Sequence, residues 1–252
     1  MRRSLTLTPF DALLLLMVLI WGANYAVIKS ALREFPPQAF NALRMAVASA
    51  VFAAAIGAKG LPRISRGDWA RLVLLGLVGH FVYQLLFMAG IARTTASNSA
   101  LIIGCSPVAV SIASALAGHE RVPRAQWAGV VLSVLGVYLV VGFGAEFGGS
   151  SLAGDLFTLG AVCCWAIYTV GSRSLLARYS PLTVTGITML AGTALYVPAS
   201  TGQLAALDWG RVPLWAWTAM TLSALLALNV AYLIWYTSVQ RIGNVRTSAY
   251  SN

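Results

Sequence analysis

The strongest constraint in this chain is its length pattern. Apolar stretches about as long as a bilayer is thick follow one another, joined by loops too short to fold alone. A helix needs roughly 20 apolar residues to cross about 30 Å of hydrocarbon. Eight stretches meet that requirement: Asp11–Ser30, Pro37–Ile56, Trp69–Gly90, Ser97–Leu116, Ala125–Gly142, Leu156–Leu175, Pro181–Ala199 and Leu214–Val239. A ninth starts near Asn244. Composition gives the same answer. Of 252 residues, 59% are hydrophobic and 10% charged, whereas soluble domains carry about 25% charged residues. The fold class is therefore all-α: a polytopic helical bundle whose partner is the lipid bilayer.

The net charge of +10 does not point to nucleic acid, because the basic residues are spread over loops rather than gathered on one face. They set an orientation instead. With the N-terminus in the cytoplasm, the inner side holds Arg2, Arg3, Lys59, Arg63, Arg66, Arg71, Arg121, Arg124, Arg173, Arg178, Arg241 and Arg246. The outer side holds only Lys29, Arg33, Arg93 and Arg211. That bias satisfies the positive-inside rule and gives a multi-pass protein of the inner or plasma membrane. The start, Met1-Arg2-Arg3 and then Leu13–Ile20, has the flavour of a signal peptide, but the apolar run continues through Ile28 and reads as a span. Cys105, Cys163 and Cys164 lie in apolar runs, and no His or Cys pair has metal-ligand spacing. No cofactor or metal is implied.

The chain repeats itself. An offset of 144 brings Asp11 onto Asp155, Trp21 onto Trp165, Ser30 onto Ser174, Pro37 onto Pro181 and Met45 onto Met189. An offset of 148 brings Trp69 onto Trp217 and Arg93 onto Arg241. The first unit, 1–144, contains five spans, so the second, 145–252, enters from the opposite face. This is an inverted-topology repeat, a plan of secondary transporters with a substrate site near the midplane. Asn252 falls opposite Gly104, inside the fourth span of the first unit. The expectation is a ten-helix plan of which this sequence carries eight complete spans and the start of a ninth.

Several spans carry polar and aromatic stripes at helical spacing. Span one has Trp21, Asn24, Tyr25 and Ile28; span six has Trp165, Tyr168, Thr169 and Ser172. Span three has His80, Tyr83, Gln84 and Phe87; span eight has Asn229, Tyr232 and Tyr236. Aromatic residues usually mark the membrane interfaces, so rings at mid-depth either pack on one another or line a cavity. Polar groups at that depth either bond between helices or face water. Arg44 is the one unambiguous charge well inside a span. It can attract a carboxylate, brace backbone carbonyls, or reach outward to the interface. No acid lies at mid-membrane, which leaves His80 as the group for any proton coupling. Gly76, Gly79, Gly90, Gly129 and Gly136 permit close helix approach.

The chain resembles the EamA-type branch of the drug/metabolite transporter superfamily. The residues that carry the resemblance are Trp21-Gly22-Ala23-Asn24-Tyr25, Arg44, Ser106-Pro107, and Gly118-His119-Glu120 followed by Gln126-Trp127-Ala128-Gly129 and Gly136-Val137. Within that branch the ring-rich lining is most similar to the YddG-type aromatic amino-acid exporters. The resemblance implies an exporter of small metabolites. The stripes and the buried charge supply the substrate-binding candidates: Trp21, Asn24, Tyr25, Arg44, His80, Tyr83, Gln84, Trp165, Tyr168, Thr169, Asn229, Tyr232 and Tyr236; for Arg44 the resemblance itself favours a structural role. Amino acids, aromatic ones foremost, are the favoured substrates, moved by facilitated diffusion. A broad metabolite or cationic-drug exporter, with or without proton coupling, is the alternative. A single chain acting as a monomer is enough for either. An enzyme is disfavoured: Gly104-Cys105-Ser106-Pro107 departs from the Gly-x-Ser-x-Gly nucleophile turn.

Overall fold

The computed structural model describes residues 9–118 and 152–250, with scattered positions between 128 and 139. All regular structure among the described residues is helical, and seven helices are long and apolar enough to cross a membrane. The fifth expected span, Ala125–Gly142, lies largely outside the described residues.

Helix α1 covers Pro9–Ala31 and α2 covers Pro37–Lys59. Pro37 opens α2, where a missing N–H costs nothing. The third span is α3 (Arg66–Gly76) and α4 (Tyr83–Arg93), joined by a π-helical stretch at Leu77–Val82. The fourth is α5 (Ala96–Gly104) and α6 (Ser106–Leu116). Next come α7 (Leu152–Leu176), α8 (Pro181–Ala199) and the short α9 (Thr201–Ala205). The last long span is α10 (Leu214–Leu222), a π-helical stretch at Ser223–Val230, and α11 (Ala231–Ile242). Helix α12 (Asn244–Ala249) begins where the ninth segment is expected. Side-chain oxygens start several of these helices: Ser65 accepts from Asp68 N–H (3.1 Å), Thr95 from Asn98 N–H (3.0 Å) and Ser180 from Thr183 N–H (3.2 Å). Each satisfies a donor that a helix start otherwise leaves unpaired.

The fourth expected span, Ser97–Leu116, is matched by Ala96–Leu116, and the helix within it is broken at Cys105. Pro107 has no N–H for the carbonyl of Ile103, and its ring crowds that carbonyl. The Ser106 hydroxyl donates to Ile103 O in its place.

The repeat is visible in three dimensions. Two of its mates, Ser49 and Thr193, 144 positions apart, share a hydrogen bond of 2.8 Å between α2 and α8. Two others, Trp21 and Trp165, meet edge to face with centroids 5.6 Å apart. Residues that map onto one another can touch only at the symmetry axis, so a pseudo-two-fold axis runs between these pairs. The packing agrees: α2 lies on its own mate α8, while α1 on α11 and α7 on α4 are images of each other. The π-helical stretches are images as well, since 77–82 shifted by 148 is 225–230.

Close approach at the unit interface depends on glycine. A Cβ built on Gly76 falls 2.6 Å from the Thr188 carbonyl oxygen, and one built on Gly192 falls 2.3 Å from the His80 Cβ and 2.9 Å from Gly76 O. The third span and α8 therefore meet nearly backbone to backbone.

Candidate functional site

Trp21 and Trp165 sit near the middle of α1 and α7, at the two-fold axis. Around them cluster Tyr232 and Trp235, with centroids 5.9 and 5.5 Å from Trp21 and 5.4 and 5.3 Å from Trp165. Tyr83 stands 5.7 Å from Trp165 and stacks on Phe87 at 5.8 Å. The rings do not fill the space between the spans. A cavity of about 190 Å³ opens beside them, lined by Trp21, Asn24, Tyr25, Arg44, Tyr83, Gln84, Trp165 and Tyr232 among the expected residues. Phe87 and Trp235 add rings, and Ala100, Ile103, Gly104 and Ser106 add the broken fourth span. Irregular backbone at membrane depth is tolerated where it is buried in protein or lines a cavity. Here the second π-helical stretch (Ala227 and Leu228) and the break at Cys105 border the same space, and Tyr83 directly follows the first π stretch. Trp21 Nε1–H donates to Ala227 O at 3.1 Å, which ties a cavity ring to one of these irregular backbones.

Arg44 is the electrostatic centre. Its side chain is buried, with a residue exposure of 1%. Nη2 donates to Asn41 Oδ1 (2.7 Å) and Gln84 Oε1 (3.2 Å), and Nη1 donates to Ser223 Oγ (3.2 Å). Ser223 in turn donates to Asn24 Oδ1 at 2.6 Å. Spans one, two, three and eight thus converge on one guanidinium. Every acceptor is neutral, and Nε–H has no partner among the described residues. Among the described residues, no carboxylate lines the cavity. Burying a charge is costly unless it is paired, so this site holds a cation whose counter-charge the described chain does not supply.

The remaining expected residues lie behind the wall. His80 is fully buried, and its Nε2 bonds with Tyr168 Oη at 3.0 Å. Tyr168 Oη lies 2.6 Å from Thr188 Oγ1, and that hydroxyl donates to the carbonyls of Val184 and Thr185. Tyr168 thus links His80 on the third span to Thr188 on α8. Asn229 donates to Ala48 O at 3.0 Å, an interhelical brace. Thr169 is buried on α7, and Tyr236 packs against Tyr168 with centroids 5.0 Å apart. These five are not among the lining residues; they support the rings that are. Sequence periodicity missed Trp235 and the Gly104–Ser106 edge. Tyr232 and Trp235 are three apart, so the helical face signalled Trp235. The backbone break signalled itself only through Pro107.

Comparison with known proteins then fixes the family. The model of the EamA-like transporter family matches twice, at residues 8–142 and 152–252. The chain belongs to the EamA-like transporter family. An uncharacterized transporter of Archaeoglobus fulgidus is 31% identical across 94% of this chain and 82% of its own length. The uncharacterized transporter YyaM of Bacillus subtilis is 27% identical across 92% of this chain and 77% of its own. A probable terminal-alkyne amino-acid exporter of Streptantibioticus cattleyicolor is 27% identical across 94% and 78%. A protein of known crystal structure shares the fold, with a TM-score of 0.69 over 96% of this chain and 84% of that one, at 23% identity. The chain is therefore a multi-pass membrane transporter of two repeats, and its relatives are transporters rather than enzymes. Ser106 and His80 are engaged in separate networks, one with Ile103 O and the other with Tyr168. Ser106→Ala is accordingly expected to keep most of its transport, measured as substrate flux in proteoliposomes.

Proposed function

We propose that this EamA-like transporter exports amino acids, aromatic ones preferred, across the inner or plasma membrane with its N-terminus in the cytoplasm. The observation that carries the reading is a buried, unpaired guanidinium beside a cluster of rings in one cavity. A substrate carboxylate supplies the counter-charge that Arg44 lacks, and the planar donor fork of arginine suits it. The rings of Trp21, Tyr83, Trp165, Tyr232 and Trp235 accept the apolar side chain. Asn24, Tyr25 and Gln84 complete the contact surface, while His80, Tyr168, Thr169, Asn229 and Tyr236 hold it in place. The relative named as an amino-acid exporter agrees with this substrate class. An organic cation without a carboxylate would meet the Arg44 charge unscreened, which disfavours the drug-efflux alternative.

The two units, 1–144 and 145–252, rock about the axis between Trp21 and Trp165, as inverted repeats do around a midplane site. Both rings sit at the pivot, so the cavity wall persists while access alternates. Among the described residues no acid stands at the cavity, which supports export down the substrate's own gradient. Raising the outside pH by one unit at a fixed gradient is expected to leave the flux unchanged; a severalfold change would show coupling. The substrate is tested by efflux of Phe, Trp, Thr and a quaternary ammonium dye from cells carrying the protein. Phe and Trp are expected to leave fastest. Dye efflux without amino-acid efflux would reverse the assignment.

A further inference from the structure

Arg44 answers one end of an amino acid. The other end is an ammonium, and among the described residues the cavity has no carboxylate to meet it. The wall does contain an exposed helix end. Helix α5 stops at Gly104 in the middle of the membrane-spanning stretch, and Gly104 lines the cavity. The last carbonyls of a helix have no partners within it. Here three of the four are served: Cys105 Sγ approaches Leu101 O at 3.6 Å, Cys105 N–H donates to Ile102 O at 3.1 Å, and Ser106 Oγ donates to Ile103 O. The fourth is Gly104. In an unbroken helix it would receive the N–H of Val108, but Val108 donates to Cys105 O instead, at 3.0 Å. The helix C-terminus also carries the negative end of the macrodipole. Gly104 lies on the cavity wall, and a Cβ built on it meets nothing within 4 Å.

We propose that the broken fourth span is the ammonium subsite of the cavity, with the Gly104 carbonyl as its acceptor. Arg44 and the C-terminal end of α5 then form two poles of opposite sign in one small space. The pair reads a zwitterion, and the ring cluster reads the side chain. This rests on the amino-acid reading above and adds its selectivity: a free α-amino group is required as well as a carboxylate. Pro107 has a positioning role, because it keeps the helix from closing over the carbonyls.

The test uses competition against labelled phenylalanine uptake into proteoliposomes holding the full chain. Two probes each lack one charge: 3-phenylpropionate has no amine and phenethylamine has no carboxylate. Both are expected to compete roughly tenfold or more weakly than unlabelled phenylalanine, as suits the loss of a hydrogen bond to a charged group. In Pro107→Ala the phenylalanine advantage over 3-phenylpropionate should shrink, while competition by 3-phenylpropionate itself stays unchanged. If Pro107→Ala proves unstable in a melting assay, the two probes compared in the unmodified protein carry the test. Equal competition by phenylalanine and 3-phenylpropionate in the unmodified protein would overturn the ammonium subsite and leave the exporter reading standing. So would weakening of both probes alike in Pro107→Ala. If phenylalanine is not taken up at all while the quaternary ammonium dye is, the exporter reading falls and this subsite with it.

Discussion

Arg44→Gln is expected to lower phenylalanine flux by roughly 30-fold or more, the equivalent of the ~2 kcal/mol at the low end for losing one partner of a buried charge pair. The glutamine keeps a polar head near Asn41, Gln84 and Ser223 but removes the charge that a carboxylate needs. It relieves the unpaired buried cation while giving up part of the hydrogen bonding to three acceptors, so the melting temperature is expected to change little. That combination separates the binding role from a bracing role. A purely structural arginine would lose flux only in step with a fall in melting temperature. A substrate-binding arginine costs flux and leaves the fold intact. Arg44→Lys should fall between the two proteins. It restores the charge but not the planar fork that reaches Ser223, Asn41 and Gln84 at once.

The second large effect belongs to Gly192. Gly192→Val is expected to prevent stable assembly, seen as loss of the monodisperse peak in detergent and of any cooperative melting transition. The reason is geometric. A Cβ at that position already lies 2.3 Å from His80 Cβ and 2.9 Å from both the His80 carbonyl carbon and Gly76 O. Two of those contacts are with backbone, which cannot rotate aside. α8 would have to move away from the third span, opening the contact on which the two units meet. Small-residue packing is the main attraction between membrane helices, so the loss has no hydrophobic compensation in lipid. Gly22→Ala is the control, because a Cβ there meets nothing within 4 Å. It should assemble normally.

The sequence alone went further for the fold than for the site, and the reasons are physical. Span length and Arg placement are set by bilayer thickness and leaflet charge, which act on every residue. The repeat was legible from Trp21, Trp165, Pro37 and Pro181 because bulky and ring-locked residues stand out in an apolar chain. Their meeting at the axis follows once the second unit is inverted. The site was only half legible. Faces counted at i, i+3 and i+4 assume an unbroken helix. The stretches 77–82 and 223–230 are π-helical, and an inserted residue shifts the phase of whatever comes before it. His80 therefore turns away from Tyr83 and Gln84 toward Tyr168, and Asn229 turns from Tyr232 toward Ala48. Tyr83 and Gln84, just past the first stretch, and Tyr232, just past the second, line the cavity, whereas His80 and Asn229 within the stretches brace the wall. No residue type marks a π turn, so periodicity could not have divided the stripe. Gly104 was missed for a related reason. Its contribution is a backbone carbonyl, which any residue carries and no composition reveals.

The most direct measurement is phenylalanine counterflow. Proteoliposomes are loaded with unlabelled phenylalanine and diluted into a trace of labelled phenylalanine. An alternating-access carrier with one cavity on the axis should accumulate the label transiently above its outside concentration, and Arg44→Gln should abolish that overshoot. Label that enters no faster than in protein-free liposomes, or an overshoot that survives Arg44→Gln unchanged, would contradict the assignment.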